Sequence, residues 1–249
     1  MPLISNNPPS IAGLLPLFRC PWCRQDVLRW SFPSSLHGLP DDGNAACSRC
    51  QRSYPLKDGI LDFLAGTAQN EVITPFQRLM QFPPITAIYE KYWRPLGFFV
   101  ASSSSFRRFS ADLIQRLDPQ KRNSILDLAC GPGLFACPLA AQTQGWVIGL
   151  DLSLPMLRQA RRKAVRSGVR NVLFVRGSAL SLPFQNDALD AVLCSGALHL
   201  FDRPEHALAE IARTLARQGR FVCQTTLKPK HSAGLAPFLD HVVRFGFFE

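Results

Sequence analysis

The sequence contains no apolar run approaching the ~20 residues that a bilayer-spanning helix needs. Its first apolar segment, "IAGLLPLF", has no basic residue before it and no small-residue cleavage site after it, which argues against a secretory signal. Charged residues are few, at 18%, and neither a block of like charge nor an internal repeat occurs, which excludes a disordered polyelectrolyte and a repeat array. These absences leave a folded cytoplasmic protein without a membrane span as the expectation. At 249 residues and 47% apolar content the chain is long enough for one good core and a small second unit.

The formal charge of +10 divides as about +1, +4 and +5 over residues 1–66, 67–123 and 124–249 by counting side chains. Its densest cluster is Arg158, Arg161, Arg162, Lys163, Arg166 and Arg170, interleaved at helical spacing with Met156, Leu157, Ala160, Ala164 and Val165. The first reading is a solvated helix face, and the second is a surface that contacts phosphates.

Three segments follow from the pattern. Residues 1–66 hold paired cysteines, turn formers and short β-like runs such as "GILDFL", with too few apolar residues for a core of their own. Residues 67–123 are rich in aromatics and broken at "FPP" and "RPLG", where proline removes a helix donor and restricts the residue before it; they read as a helical connector or lid. From residue 124 strands and helices alternate: "SILDLA", a helix from about Gly133, "WVIGLD", a helix from Leu154, "NVLFVRG", "DAVLCSG", a helix from Pro204, and "RFVCQTT". Apolar runs of this kind separated by helices predict an α/β, doubly wound, mostly parallel Rossmann-like sheet with helices on both faces. Ser153 is the expected cap of the second helix and Gly168 its end, whereas Asp202 with Glu205 has the spacing of a capping box ahead of a stripe of Leu208, Ile211, Ala212 and Leu215.

The loop "DLACGPGLFA" follows the first strand and opens a helix, the place where such a sheet binds ligands. Gly131 and Gly133 permit a tight turn. Asp127, four residues before Gly131, would repel a pyrophosphate but accepts hydrogen bonds from an amino-acid ammonium, which suits S-adenosylmethionine better than a dinucleotide. Asp151 ends the next strand, 18 residues after Gly133, where a carboxylate takes both ribose hydroxyls. His199, after "CSGALH", is a candidate base because histidine titrates close to neutral pH; orienting its own loop is the alternative role. Tyr89, Tyr92 and Trp93 in "AIYEKYWRP" are candidates for an acceptor-binding wall.

Through "ILDLACGPG", "VIGLDLSLPML", "GSALSLPFQNDALDAVLCSGALHLF" and "ALAEIARTLARQGRFV", residues 124–226 resemble class I S-adenosylmethionine-dependent methyltransferases of the type 11 group, related to the ubiquinone and menaquinone C-methyltransferases. That resemblance implies that Asp127, Ala129, Gly131 and Gly133 line the methionine part of the donor and that Asp151 holds its ribose. It further implies that Leu152 and Met156 pack near the adenine, that residues Ser178, Ala179 and Leu180 reach the adenine edge, and that Ser195 lines the same pocket. Ala129 stands where the family often has glycine, and Ser178 where it usually has aspartate. Proteins of this kind usually finish with an antiparallel strand pair, which is expected to be missing after "FVCQTT", where Leu235, Phe238, Leu239, Val242 and Val243 have helical spacing.

Cys20 and Cys23, then 23 residues, then Cys47 and Cys50 give two C-x2-C pairs. Four thiolates suit a tetrahedral zinc ion, and a closed set of four protein ligands makes such a metal structural. His37 is a less favoured substitute. The downstream "YPLKDGILDFL" resembles the zinc-ribbon family of small methyltransferase activators, so that a ribbon precedes its own enzyme here. The remaining thiols, Cys130, Cys137, Cys194 and Cys223, lack pair spacing and read as reduced and buried. The leading expectation is methyl transfer to a small, quinone-like or secondary-metabolite acceptor. The alternatives are methylation of RNA, using the ribbon and the basic helix, and an interaction protein whose donor site has decayed.

Overall fold

The computed structural model describes residues 9–32, 40–66, 106–227 and 244–248. His37, the aromatic trio Tyr89, Tyr92 and Trp93, and the helix expected around Leu235 fall outside the described residues.

The N-terminal unit contributes β1 (Leu28–Ser31), β2 (Gly43–Cys47), β3 (Ser53–Lys57) and β4 (Ile60–Asp62). After α1 (Phe106–Leu117) come β5 (Ser124–Leu128), α2 (Ala136–Ala140), β6 (Trp146–Asp151), α3 (Leu154–Arg166), β7 (Val172–Arg176), β8 (Leu189–Ser195), α4 (Pro204–Thr214), β9 (Leu215–Leu227) and β10 (Arg244–Phe248). All lie in one sheet of order β1-β2-β3-β4-β7-β6-β5-β8-β9-β10. It is parallel from β4 to β9 and antiparallel at both ends.

The strands form because both faces are covered. Every residue of β5 is buried, and β6 is buried up to Asp151. One face packs Leu113 and Leu117 of α1, Leu139 of α2 and Leu157, Ala160 and Ala164 of α3. The other packs Ile211 of α4 together with Leu14, Phe18, Tyr54 and Phe63 from the N-terminal unit. That unit therefore shares a core with the parallel sheet: Phe18 lies 5.1 Å from Phe184 between ring centroids, and Trp146 donates its indole N–H to the Ser10 carbonyl at 3.0 Å. Burying such an aromatic ring stabilises the fold by about 1.5–3 kcal/mol.

Local signals hold for α3. Ser153 Oγ accepts from the Met156 amide at 3.5 Å, Pro155 sits in the first turn, and Gly168 follows with φ +68°. Val165, expected on the apolar stripe, is exposed. For α4 the expected cap is not formed, because Arg203 occupies the cap position without a side-chain bond. Its buried stripe is Ala207, Ile211 and Thr214, while Leu208 and Ala212 face solvent. The helix also stops before Leu215: the Arg213 and Thr214 carbonyls accept from the Asp187 and Ala188 amides, and Leu215 opens β9 opposite Leu189. Tertiary strand pairing overrides the helical period there. The expectation that the terminal antiparallel pair is missing is met only in part: one antiparallel strand, β10, pairs with β9 from Arg244 opposite Leu227 to Phe248 opposite Cys223, and no second one follows among the described residues. "RFGFF" carries a central glycine and no turn signal ahead of it, so its pattern alone did not mark a strand.

Candidate active site and a four-thiol cluster

β5 and β6 end side by side, and the chain leaving β5 turns back across them. Ala129, Gly131 and Gly133 all have positive φ, at 55°, 52° and 75°. Alternating left-handed residues coil the loop so that the Cys130 amide donates to the Leu150 carbonyl at 3.0 Å and the Gly131 amide to Asp151 Oδ2 at 2.8 Å. The two glycines differ in use. A Cβ at Gly131 would meet nothing within 4 Å, so the loop is open on that side, whereas one at Gly133 would press on Ala160 Cβ at 3.0 Å. Gly133 seats the loop on α3, and Gly131 leaves backbone available to a ligand.

Two carboxylates flank this loop. Asp127 is only 2% exposed, near the end of β5. Asp151 ends β6, and its Oδ1 accepts from the Ser153 amide at 2.8 Å. Burial pushes the Asp151 carboxyl above its ordinary range, and amide donation from Ser153, Gly131 and Leu152 offsets this only in part. Burial first, and then the negative charges of Asp127 and Asp151, hold the Cys130 thiol well above its usual value, which disfavours the thiolate. Leu152 and Met156 are half-buried at the start of α3. Ser178 begins a tight turn in which its hydroxyl accepts from the Leu180 amide at 2.9 Å; Ser178, Ala179 and Leu180 are all half-buried.

β8 brings a further group to the same end of the sheet. Ser195 donates to Gln224 Oε1 at 3.3 Å, and the following 3-10 turn, Leu198–Leu200, carries His199. His199 Nδ1 lies 3.1 Å from Thr225 Oγ1 of β9, and Thr225 is buried. The residue is exposed, yet enough of the ring is covered that its pKa falls below the ordinary histidine value. At neutral pH the imidazole is therefore uncharged and able to take a proton.

Among the features the sequence reading missed, Cys194 and Cys223 are register partners on β8 and β9 and both are buried. Their hydrogen bond, and then burial, raises Cys194, while the same bond lowers Cys223, as expected when Cys194 donates to Cys223. Arg176, a lone charge ending an otherwise apolar strand, was also missed.

The paired cysteines converge in the N-terminal unit, where Ser181, next to the 178–180 turn, donates to the Pro21 carbonyl at 3.2 Å. All four Sγ atoms lie within 4.8 Å of one another, with Cys20 and Cys50 at 3.6 Å and Cys23 and Cys47 at 3.5 Å. A disulfide would need about 2.05 Å, whereas four sulfurs at ~2.3 Å from one ion stand ~3.8 Å apart. The two C-x2-C turns have the same build. The Cys20 amide donates to Gln25 O and the Arg24 amide to Cys20 O; the Cys47 amide donates to Arg52 O and the Gln51 amide to Cys47 O. Arg24 and Gln51 occupy equivalent left-handed positions, at φ 59° and 61°. Burial alone would raise the Cys20 thiol, but hydrogen bonds from Tyr54 and from the Cys23 and Trp22 backbone bring it down to about 7. The donor set and spacing fit a tetrahedral zinc ion.

A parallel sheet with a glycine turn after one central strand and a carboxylate ending the next defines an α/β protein built to hold a nucleoside-containing ligand. A methyltransferase domain model matches residues 125–219. The chain is 38% identical over 177 residues to the demethylmenaquinone methyltransferase of Thermus thermophilus, covering 67% of this chain and 78% of that protein. It is 30% identical over 244 residues to an uncharacterized chloroplastic methyltransferase of Arabidopsis thaliana, At2g41040, covering 92% of this chain and 67% of the relative. Other demethylmenaquinone methyltransferases are matched over 48–61% of their length. The crystal structure of YcgJ from Bacillus subtilis superposes with a TM-score of 0.48 at 31% identity, over 50% of this chain and 53% of that one. The chain belongs to the class I S-adenosylmethionine-dependent methyltransferases. No helix among the described residues is long and apolar enough to cross a membrane.

Proposed function

We propose that the protein transfers a methyl group from S-adenosylmethionine to a small aromatic acceptor of quinol type. The observation that carries the donor is the loop that opens at Gly131 between the buried Asp127 and the amide-braced Asp151. In this reading Asp127 receives the donor's ammonium, Asp151 its ribose hydroxyls, Leu152 and Met156 the adenine face, and residues 178–180 the adenine edge. The bound donor supplies a methyl on a positively charged sulfur, which a nucleophile displaces in line.

The acceptor class is drawn from the relatives named demethylmenaquinone methyltransferase. A quinol keeps its hydroxyl protons at neutral pH, so its carbon or oxygen attacks faster once a proton is removed. His199 is suited to that step: neutral, exposed, and in the turn that follows β8, the strand paired with β5. Ordering the two reactants and excluding water supply the rest of the acceleration. An RNA acceptor finds no support in these relatives, and the basic face of α3 is not uniformly free, since Arg161 pairs with Asp41 at 2.5 Å.

The four cysteines would hold zinc as a structural ion, closed to substrate because all four positions are taken by protein. The test is methyl transfer from labelled S-adenosylmethionine into a panel of demethylated quinols, run beside total RNA. Label in the quinol fraction that falls at least about tenfold with His199→Ala, while donor affinity by calorimetry holds, supports both the acceptor and the base. Label in RNA alone, or equal loss of turnover and donor binding, would overturn them.

A further inference from the structure

Three neighbouring strands carry a row of charge at their carboxyl ends. Asp62 of β4 is the register partner of Arg176 of β7, and Arg176 is the register partner of Asp151 of β6. Arg176 therefore has a carboxylate on each side, one from the N-terminal unit and one from the donor site. It closes on the first: its Nη1 donates to Asp62 Oδ2 at 3.1 Å, and both side chains are largely covered. Its Nε donates to the Leu152 carbonyl at 3.2 Å, one residue beyond Asp151.

The rest of the row is fixed by backbone. The Leu64 amide holds Asp62 Oδ1 at 2.8 Å, the Phe63 amide donates to the Arg176 carbonyl at 3.0 Å, and the Gly177 amide donates to the Asp151 carbonyl at 3.1 Å. Asp151 is left to accept from Gly131 and Ser153, which aims its carboxylate at the donor loop. A planar guanidinium with donors in a fixed fork spans the two ends at once; a lysine ammonium at that site has one head group for two partners.

We infer that Asp62 and Arg176 are positioning residues for the donor's ribose, through which the N-terminal unit sets the pose of Asp151. The inference rests on the proposed donor site. Without the Asp62 contact, Arg176 is released to swing toward Asp151, and the Leu152 carbonyl loses its donor. In Asp62→Asn, Asp151 would then answer to a cation at its own side instead of to two ribose hydroxyls; in Arg176→Met the Leu152 carbonyl loses its donor, which loosens the turn that holds Asp151.

The test measures binding of S-adenosylhomocysteine and of its 2′-deoxyribose counterpart by calorimetry, for the unaltered full chain, Asp62→Asn, Arg176→Met and the double variant. Asp62→Asn keeps the side-chain volume and serves if Arg176→Met fails to fold, as judged by circular dichroism. Each single variant is expected to weaken S-adenosylhomocysteine about five- to tenfold and the deoxy ligand less than about twofold, a coupling of ordinary size. Selectivity for the ribose hydroxyl thus shrinks, and the double variant binds no worse than the weaker single, because both residues act through one contact. Equal weakening of both ligands would assign the pair a merely structural role, and unchanged binding of both would also overturn the inference. If the unaltered chain binds neither ligand, the donor site itself is wrong, an outcome distinct from either.

Discussion

At the scale of single residues, Asp151 is the carboxylate of the proposed donor site whose ionisation can be followed. Asp151 has a raised pKa because burial outweighs its amide donors. An aspartate raised in the folded state binds its proton more tightly than in the unfolded chain, so the contribution of Asp151 to stability is greatest at acid pH and declines as pH rises from about 3.8 through the folded value. Ribose hydroxyls favour the ionised form, so donor affinity runs the opposite way: it should weaken as pH falls through the folded pKa. Calorimetry across that acid range checks this, and Asp151→Asn should weaken binding about 10- to 100-fold and flatten the pH dependence. Ser178 offers a second residue-scale test. Its hydroxyl is already engaged by the Leu180 amide, and an aspartate there keeps that bond while adding a charged acceptor for the adenine amino group. Ser178→Asp should tighten donor binding, and weaker binding would remove residues 178–180 from the adenine edge. Ala129 offers a test of stability: an alanine at φ 55° is strained by about 1–2 kcal/mol, partly offset by the freedom glycine has when unfolded. Ala129→Gly is expected to add roughly 0.5–1 kcal/mol in denaturant melts.

At the scale of elements, legibility followed the reach of the forces involved. β5, β6, β7 and β8 were readable because each is an apolar run closed by local breakers, and α3 because Ser153 and Gly168 act on their own turn. Removing that cap by Ser153→Ala should lower the melting temperature by about 2–4 °C, the equivalent of ~1 kcal/mol in a chain of this size. The end of α4 was not readable, since the amides that stop it come from Asp187 and Ala188, more than 20 residues upstream in the chain. The candidate site divides the same way. Asp127, Gly131 and Asp151 belong to strand-to-loop junctions with a local signature. The partnership of His199 with Thr225, of Cys194 with Cys223 and of Arg176 with Asp62 arises from the order in which strands lie side by side, which no local pattern encodes.

At the scale of the whole molecule, the consequence of strand order is that the cysteine unit is not an appendage. β4 extends the parallel sheet beyond β7, Phe18 and Phe63 lie in the same core as Leu182 and Phe184, and Arg161 of α3 reaches Asp41 across Gly59. A unit with so little core of its own would depend on a metal held by its four cysteines. Apparent zinc-binding energies in small four-ligand modules, about 10–16 kcal/mol, match or exceed the ~5–15 kcal/mol that holds a whole domain together. Losing the ion should therefore loosen β1 to β4, uncover the edge of β7 and expose the aromatic cluster around Phe18 at the same time. The expected result is one zinc per chain by elemental analysis and a single cooperative melting transition. With a strong chelator, or in Cys47→Ser with Cys50→Ser, that transition should move down by at least about 10 °C without splitting. Calorimetry decides between the alternatives: a melt that separates into a chelator-sensitive step and an unmoved one would make the N-terminal unit energetically independent, and a curve that chelation leaves unchanged would take the metal out of the fold.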